Sequence, residues 1–435
     1  MVRKMGYDWK ILLKNKYYHY AIKLGVSVLL VGLAFRLLYD RSYDFSPVSD
    51  APFLQDHQIS APPFNSQQKS DQIPARESID NREGQCNLFA GDWVHSPIEP
   101  LYTYKTCRYV EDHQNCLKNG RPDTDYLHWR WKPHGCELPR LNAGRFLELM
   151  RNKSWAFIGD SISRNHVQSF LCMLSTVENA VEAYHDEKYK NRRWVFASYN
   201  FTVWVIWSPL LAEAAIFEDI NGVSNSEIEL YLDRFDKNWT ELFESMDYMV
   251  LSTGKWFTKP TIYYENDTVL GCHRCYTKNL TDFGFNRAYE RVLNNVLEYI
   301  IASNPKGMVF YRSSVPDHFE NGDWDSGGAC KRTGPVKAGE FVVNELDRII
   351  GEIEVELLPK ALAKASEKGV GLRVLDVWGA SLLRPDGHPG PYRFFQPFAK
   401  EENATVINDC LHWCLPGPID SWNDMLVEMV VRGLE

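Results

Sequence analysis

The chain has 435 residues, with 48 Lys and Arg against 57 Asp and Glu for a formal net charge of −9, and 44% of it is hydrophobic. That length holds one large or two ordinary domains around a full-sized core. The acidic balance argues against nucleic acid or any other polyanion as partner and favours a neutral or cationic one.

The first forty residues differ from the rest. Arg3, Lys4, Lys10, Lys14 and Lys16 precede an apolar stretch, and the 19 residues from Ala21 to Tyr39 approach the ~20 needed to cross a bilayer as a helix. Lys23 and Arg36 lie near its ends, where long side chains reach the headgroups. The cationic flank comes first, so residues 1–20 are expected in the cytosol and everything after residue 39 in a lumen. A cleaved signal peptide is the competing reading, but no small-x-small cleavage site follows the apolar core. Residues 1–40 carry a net +5, which leaves −14 for the remainder.

Residues 40–84 are polar and hold Pro47, Pro52, Pro62, Pro63 and Pro74, as expected of a flexible stem. Residues 85–150 are rich in Cys, Trp, Tyr and Pro and read as a compact cap stapled by disulfides. From residue 151 to 435 apolar strand-like runs at 155–158, 200–207, 248–252, 308–313 and 372–378 alternate with amphipathic segments at 162–175, 284–303, 338–366 and 420–433. Such alternation predicts an α/β domain with a mostly parallel central sheet covered on both faces.

All ten cysteines follow the apolar span, and in an oxidising lumen their even number reads as a disulfide framework. Cys272-x-x-Cys275 and Cys410-x-x-x-Cys414 lie beside histidines, but a zinc site ranks below disulfides, so no metal is expected. N-x-S/T acceptors at Asn200, Asn238, Asn266, Asn279 and Asn403 suit the same lumen, and Asn152 matches the pattern beside a strand.

Gly159-Asp160-Ser161 follows the run at 155–158 and opens the amphipathic segment at 162–175. Ser161 is therefore expected on a strand-to-helix turn, with the N–H groups of the helix start aimed at the same spot. Near the C-terminus, Asp409-Cys410-Leu411-His412 supplies an imidazole and a carboxylate able to hold its tautomer. Nucleophile, base and orienter are what acyl transfer through a covalent intermediate requires. Each motif alone is weak, since Gly-Asp-Ser is also ordinary turn chemistry. Asp160 reads as a brace and His166 as a structural residue inside the helix.

Longer stretches carry a resemblance. Cys86-Asn-Leu-Phe-Ala-Gly-Asp-Trp-Val94, Asn119-Gly-Arg-Pro-Asp123, Trp129-Arg-Trp-Lys-Pro133, Leu138-Pro-Arg140, Gly159-Asp-Ser-x-x-Arg-Asn165, His318-Phe-Glu-x-Gly-x-Trp324, Asp386-Gly-His-Pro389 and Asp409-Cys-Leu-His-Trp-Cys-Leu-Pro-Gly417 together resemble the plant trichome birefringence-like polysaccharide O-acetyltransferases. The resemblance covers about residues 86–432. It implies an SGNH/GDSL-esterase-like three-layer sandwich behind a cysteine-rich cap, in a type II Golgi membrane protein that acetylates cell-wall polysaccharides. By motif, Ser161 is the nucleophile, His412 the base and Asp409 its partner.

The resemblance implies no cofactor beyond an acetyl donor, arriving free or from a donor-supplying membrane protein, and a polysaccharide acceptor. Family-like spacing suggests the bridges Cys86–Cys136 and Cys107–Cys172. Arg164 is a candidate oxyanion donor beside the Ser161 N–H; Arg164 and Asn165 either position substrate or tie the helix start to its neighbours. His388 is a candidate for binding the acceptor. Leu251-Ser-Thr-Gly-Lys-Trp-Phe257 departs from the pattern, because many relatives carry Asn where Ser252 stands, which leaves the Gly254 N–H as the donor there. This stretch, with Pro260–Asn266 and Gly271–Cys275, looks most like the xyloglucan-acetylating branch, with mannan the runner-up. A polysaccharide acetylesterase with the same triad and a non-catalytic glycan-binding protein are the alternatives.

Overall fold

The computed structural model describes residues 86–217, 226–275, 279–324, 326–401 and 404–434. The expected cytosolic tail, membrane span and stem, and the acceptor Asn403, lie outside the described residues. Among the described residues no helix is long and apolar enough to cross a membrane.

The strands, in chain order, are β1 Gly91–His95, β2 Trp129–Pro133, β3 Ser154–Gly159, β4 Val181–His185, β5 Arg192–Phe196, β6 Phe201–Trp207, β7 Ala212–Ala215, β8 Ile228–Phe235, β9 Tyr248–Leu251, β10 Thr261–Glu265, β11 Thr268–His273, β12 Met308–Arg312 and β13 Leu372–Leu375. The central sheet runs β13-β12-β9-β3-β6-β5-β4. Its pairings are parallel from β13 to β6, whereas β5 and β4 return antiparallel at one edge. The sheet is thus mixed, with the expected parallel order in its centre. The strand order reverses about β3, so the crevice beyond the C-terminal ends of β3 and its neighbours is where an open α/β sheet gathers function.

Side-chain alternation divides the core between the two faces of that sheet. On β3, Trp155 and Phe157 join one buried cluster and Ala156 and Ile158 the other. The first cluster packs under the helices Ser161–Leu174 and Asp420–Leu434, the second against Phe285–Ser303 and Glu345–Glu367. Phe157 is fully buried, and its truncation to Ala would cost about 3–5 kcal/mol. Helix Phe285–Ser303 shows why such segments fold as they do. Its buried Ala288, Tyr289, Val292, Leu293, Val296, Leu297, Ile300 and Ile301 recur at three- and four-residue steps.

Two boundaries moved for local reasons. The helix expected from 338 starts at Glu345, because Gly339 holds φ +85° and Asn344 caps the helix by accepting the Asp347 N–H at 2.9 Å. The strand expected to 378 stops at Leu375, since Trp378–Leu382 is already helical.

A second sheet, β11-β10-β8-β7, was not expected. Its β8 alternates Ile228, Leu230 and Leu232 inward, a period of two that the sequence does display. β10 and β11 form a hairpin around Asn266 and Asp267, both at positive φ. The cap holds the β1–β2 pair and helix Ala143–Leu149.

Disulfides join Cys86–Cys136, Cys107–Cys172, Cys116–Cys414 and Cys330–Cys410. Cys272 and Cys275 are free thiols, which corrects the expectation that all ten cysteines pair: Cys272 is buried on β11 and Cys275 lies against the Thr261 and His273 carbonyls. Cys410 and Cys414 are each consumed in a disulfide, so that pair cannot ligate zinc. Asn200, Asn238, Asn266 and Asn279 are all exposed.

Candidate active site

Ser161 begins the helix that leaves β3. Asp160 caps it, its Oδ1 accepting the Ile162 N–H at 2.9 Å, so this aspartate braces the turn. Gly159 has φ +153°, and an added Cβ would meet Ser163 Oγ and the Ser252 carbonyl at 2.5 Å. Glycine is required here because β3 turns into the helix hard against the end of β9.

His412 arrives from the loop before the last helix. Its Nε2 lies 2.8 Å from Ser161 Oγ and its Nδ1 2.9 Å from Asp409 Oδ2. The other oxygen, Asp409 Oδ1, accepts the backbone N–H groups of Leu411 and His412 at 3.2 and 3.0 Å. Burial alone would raise the Asp409 pKa, but the neighbouring His412 charge and hydrogen bonds, with Arg393 behind, hold it well below the usual carboxylate range. A carboxylate kept ionised fixes the Nδ1–H tautomer and frees Nε2 to accept the serine proton. Residues 251 apart in sequence thus form one continuous relay.

The remaining candidates divide. Arg164, one turn after Ser161, lays its guanidinium over the Trp207 ring at 5.2 Å, and its buried Nε has no hydrogen-bond partner. Burial lowers its pKa, opposed by nearby Glu111. It stands at the end of β6 with donor capacity unused. Gly254 ends the segment after β9; φ +146° and the closeness of Ser314 and Ile350 dictate glycine there.

Of the two readings of Asn165, the structure shows the tie to a neighbouring loop and not a contact for substrate. Asn165 is fully buried, and its side chain accepts the Trp413 N–H at 2.7 Å and donates to the Trp413 carbonyl at 3.3 Å. Both ends are spent clamping the nucleophile helix to the residue after His412, so it has nothing left for substrate. His388 is a correction. It is 4% exposed and stacks on Trp413 at 4.3 Å. Its Nδ1 donates to the His412 carbonyl at 2.7 Å and its Nε2 meets His318 Nδ1 at 2.7 Å. His318 Nε2 lies 3.0 Å from the Leu382 carbonyl. Burial pushes both pKa values down, that of His318 to about 4. This histidine pair supports the backbone of His412 and does not face a ligand.

The cap reaches the same loop. Arg121 donates to the Asp386 and His388 carbonyls at 2.7 and 3.0 Å and pairs with Asp123, and the Leu415 N–H donates to the Gln114 carbonyl at 3.0 Å. At the start of the last helix, Asp420 accepts from Tyr102 of the cap at 2.7 Å and from Ser169 of the nucleophile helix at 2.5 Å. Residues of the cap thus hold both the Ser161 helix and the His412 loop in place; the suggested Cys107–Cys172 bridge anticipates the first hold, while the contacts to the His412 loop come only from the structure.

A family model described as a GDSL/SGNH-like acyl-esterase family found in Pmr5 and Cas1p, PC-Esterase, matches residues 138–429, and a PMR5 N-terminal domain model matches residues 84–137. The chain is 49% identical over 432 residues to protein trichome birefringence-like 23 of Arabidopsis thaliana, covering 99% of both chains. It is 41% identical over 401 residues to xyloglucan O-acetyltransferase 1 of the same plant, covering 92% of each. It is also 41% identical over 382 residues to xyloglucan O-acetyltransferase 1 of Populus trichocarpa, covering 86% of this chain and 88% of that one.

Proposed function

The chain belongs to the GDSL/SGNH-like acyl-esterase family, among its trichome birefringence-like members, and from this we propose that it is a polysaccharide O-acetyltransferase working through an acetyl-serine. The observation that carries the reading is the Asp409–His412–Ser161 relay, with contacts of 2.9 and 2.8 Å. His412 Nε2 takes the Ser161 proton as Oγ attacks the carbonyl carbon of an acetyl donor. The donor's leaving group departs with that proton, and acetyl-Ser161 remains. A sugar hydroxyl then gives its proton to His412 while its oxygen attacks the acetyl carbon. The bond to Ser161 Oγ breaks, and Oγ recovers the proton. The Ser161 N–H, the Gly254 N–H and Arg164 are the oxyanion donors of this scheme.

The acceptor is a neutral hemicellulose, with xyloglucan side-chain galactose first and mannan second. Likeness to the two xyloglucan O-acetyltransferases supports xyloglucan. The higher identity to a relative whose name specifies no acceptor, 49% against 41%, keeps mannan and xylan in the test. The domain works in the Golgi lumen, N-glycosylated and anchored through residues 21–39. No cofactor takes part. Incubation with an acetyl donor and deacetylated xyloglucan, glucomannan, xylan and pectic oligomers tests the scheme. Acceptor-dependent mass gain on a neutral oligomer supports a transferase. Acetate release that ignores acceptors indicates an esterase, and neither result leaves a glycan-binding protein.

A further inference from the structure

We infer that His113, carried by the N-terminal cap, is an acceptor-positioning residue: its imidazole holds the sugar hydroxyl that approaches acetyl-Ser161. The inference rests on the acyl-enzyme reading above. His113 lies on the short turn Asp112–Gln114, and its ring stands edge to face with that of His412, centroids 6.1 Å apart and planes at 83°. That separation is too long for a bond between the two imidazoles. An acceptor oxygen must come within hydrogen-bond reach of His412 Nε2 to surrender its proton. The ring packed against the His412 imidazole belongs to the cap.

The ring is also uncommitted. Among the described residues neither nitrogen of His113 makes a hydrogen bond; its nearest charged neighbour, Glu111 Oε2, is 3.8 Å from Nδ1. Its side chain is 38% exposed, unlike His388 and His318, which are buried and bonded. A half-buried imidazole with both nitrogens free can donate to and accept from a hydroxyl at once. Partial burial and the neighbouring His412 push its pKa down, which keeps it neutral and suited to a neutral sugar.

Its position is built rather than incidental. Three residues on, Cys116 is bonded to Cys414, two residues after His412. Between them the Gln114 carbonyl accepts the Leu415 N–H at 3.0 Å. On the other side Glu111 is paired with Arg192 at 3.1 Å. A segment tied to the His412 loop at one end and to β5 at the other holds its side chain within the tolerance that positioning requires.

The test separates the two half-reactions in the full chain. Acetylation of Ser161 is followed by intact mass after mixing with 4-nitrophenyl acetate, and transfer is followed with deacetylated xyloglucan or glucomannan oligomers. His113→Ala is expected to lower kcat/KM for the oligomer about tenfold, mostly through KM, while Ser161 acetylation falls less than threefold. His113→Gln, which keeps a donor and an acceptor, should recover part of the loss. An unchanged oligomer kcat/KM in His113→Ala overturns the inference. So does a parallel fall in both half-reactions, which would mean that the ring merely supports His412. If the wild-type chain acquires no acetyl group on Ser161, the acyl-enzyme reading falls and this inference with it.

Discussion

Cys116 and Cys414 are joined across 298 residues of sequence, and the bond lands two residues beyond His412. Cys330–Cys410 grips the same loop two residues before it. The base of the relay is therefore held by two covalent staples that lie outside the sheet. Mild reduction should abolish acetyl transfer before the far-UV circular dichroism changes, because the loop loosens while the strands stay packed. The Cys116→Ser/Cys414→Ser double variant should behave the same way without reductant. Simultaneous loss of activity and secondary structure would show that the bridges hold the whole domain.

Ser161→Ala removes one hydroxyl from a capped helix start, so stability should stay within about 0.5 kcal/mol of wild type while transfer falls about a thousandfold or more. Activity within tenfold of wild type would exclude the acetyl-serine. Asp409→Asn should lose less than His412→Ala, since an orienting group is replaced more readily than the base. The reverse order in folded proteins would reassign the two roles.

Asn165→Ala leaves the Trp413 N–H and carbonyl without their partner inside the core, at a cost of about 1–3 kcal/mol. Urea denaturation should show that loss together with a lower kcat and an unchanged acceptor KM. A raised KM at unchanged stability would restore Asn165 as a substrate contact.

Asp424 is buried and donates nothing; its Oδ1 accepts the Leu141 N–H at 2.7 Å. Burial raises its pKa to about 7, so the folded chain keeps a proton that an unfolded aspartate releases near pH 4. Stability therefore falls as pH rises from about 4 to about 7, by at most roughly 4 kcal/mol from this group. Asp424→Asn should remove that slope when unfolding is compared at pH 5 and pH 8. Asp409 works in the opposite sense. Its depressed pKa contributes stability above the unfolded value that is lost on acidification. A wild-type slope unaltered in Asp424→Asn would assign the dependence to another group.

Much of the scaffold was legible in the residues themselves. The runs at 155–158, 200–207 and 308–313 lie within or about β3, β6 and β12, because parallel strands buried on both faces must be apolar throughout. β8 went unread although Ile228, Leu230 and Leu232 alternate cleanly, since attention to continuous runs misses a strand with one wet face. Ser161 was legible because Gly159 and Asp160 announce a strained, capped turn at a strand end. His388 misled, and Asn165 stayed open between two readings, because a conspicuous polar motif reads the same whether it grips substrate or the backbone of the next loop.

The sequence by itself determined what is local: the apolar strands, the amphipathic helices, the nucleophile turn, and the Asp409–His412 pair three residues apart. The tertiary structure decided what is distant. It set the 2.8 Å approach of His412 to Ser161, the loops that share each disulfide beyond the suggested pairs, and the arrival of His113 from the cap. The physical reason is one of range. Helix, strand and cap preferences act between residues a few positions apart. Contacts across 251 or 298 residues exist only after two cores have packed on opposite faces of one sheet and brought the loops between them into register.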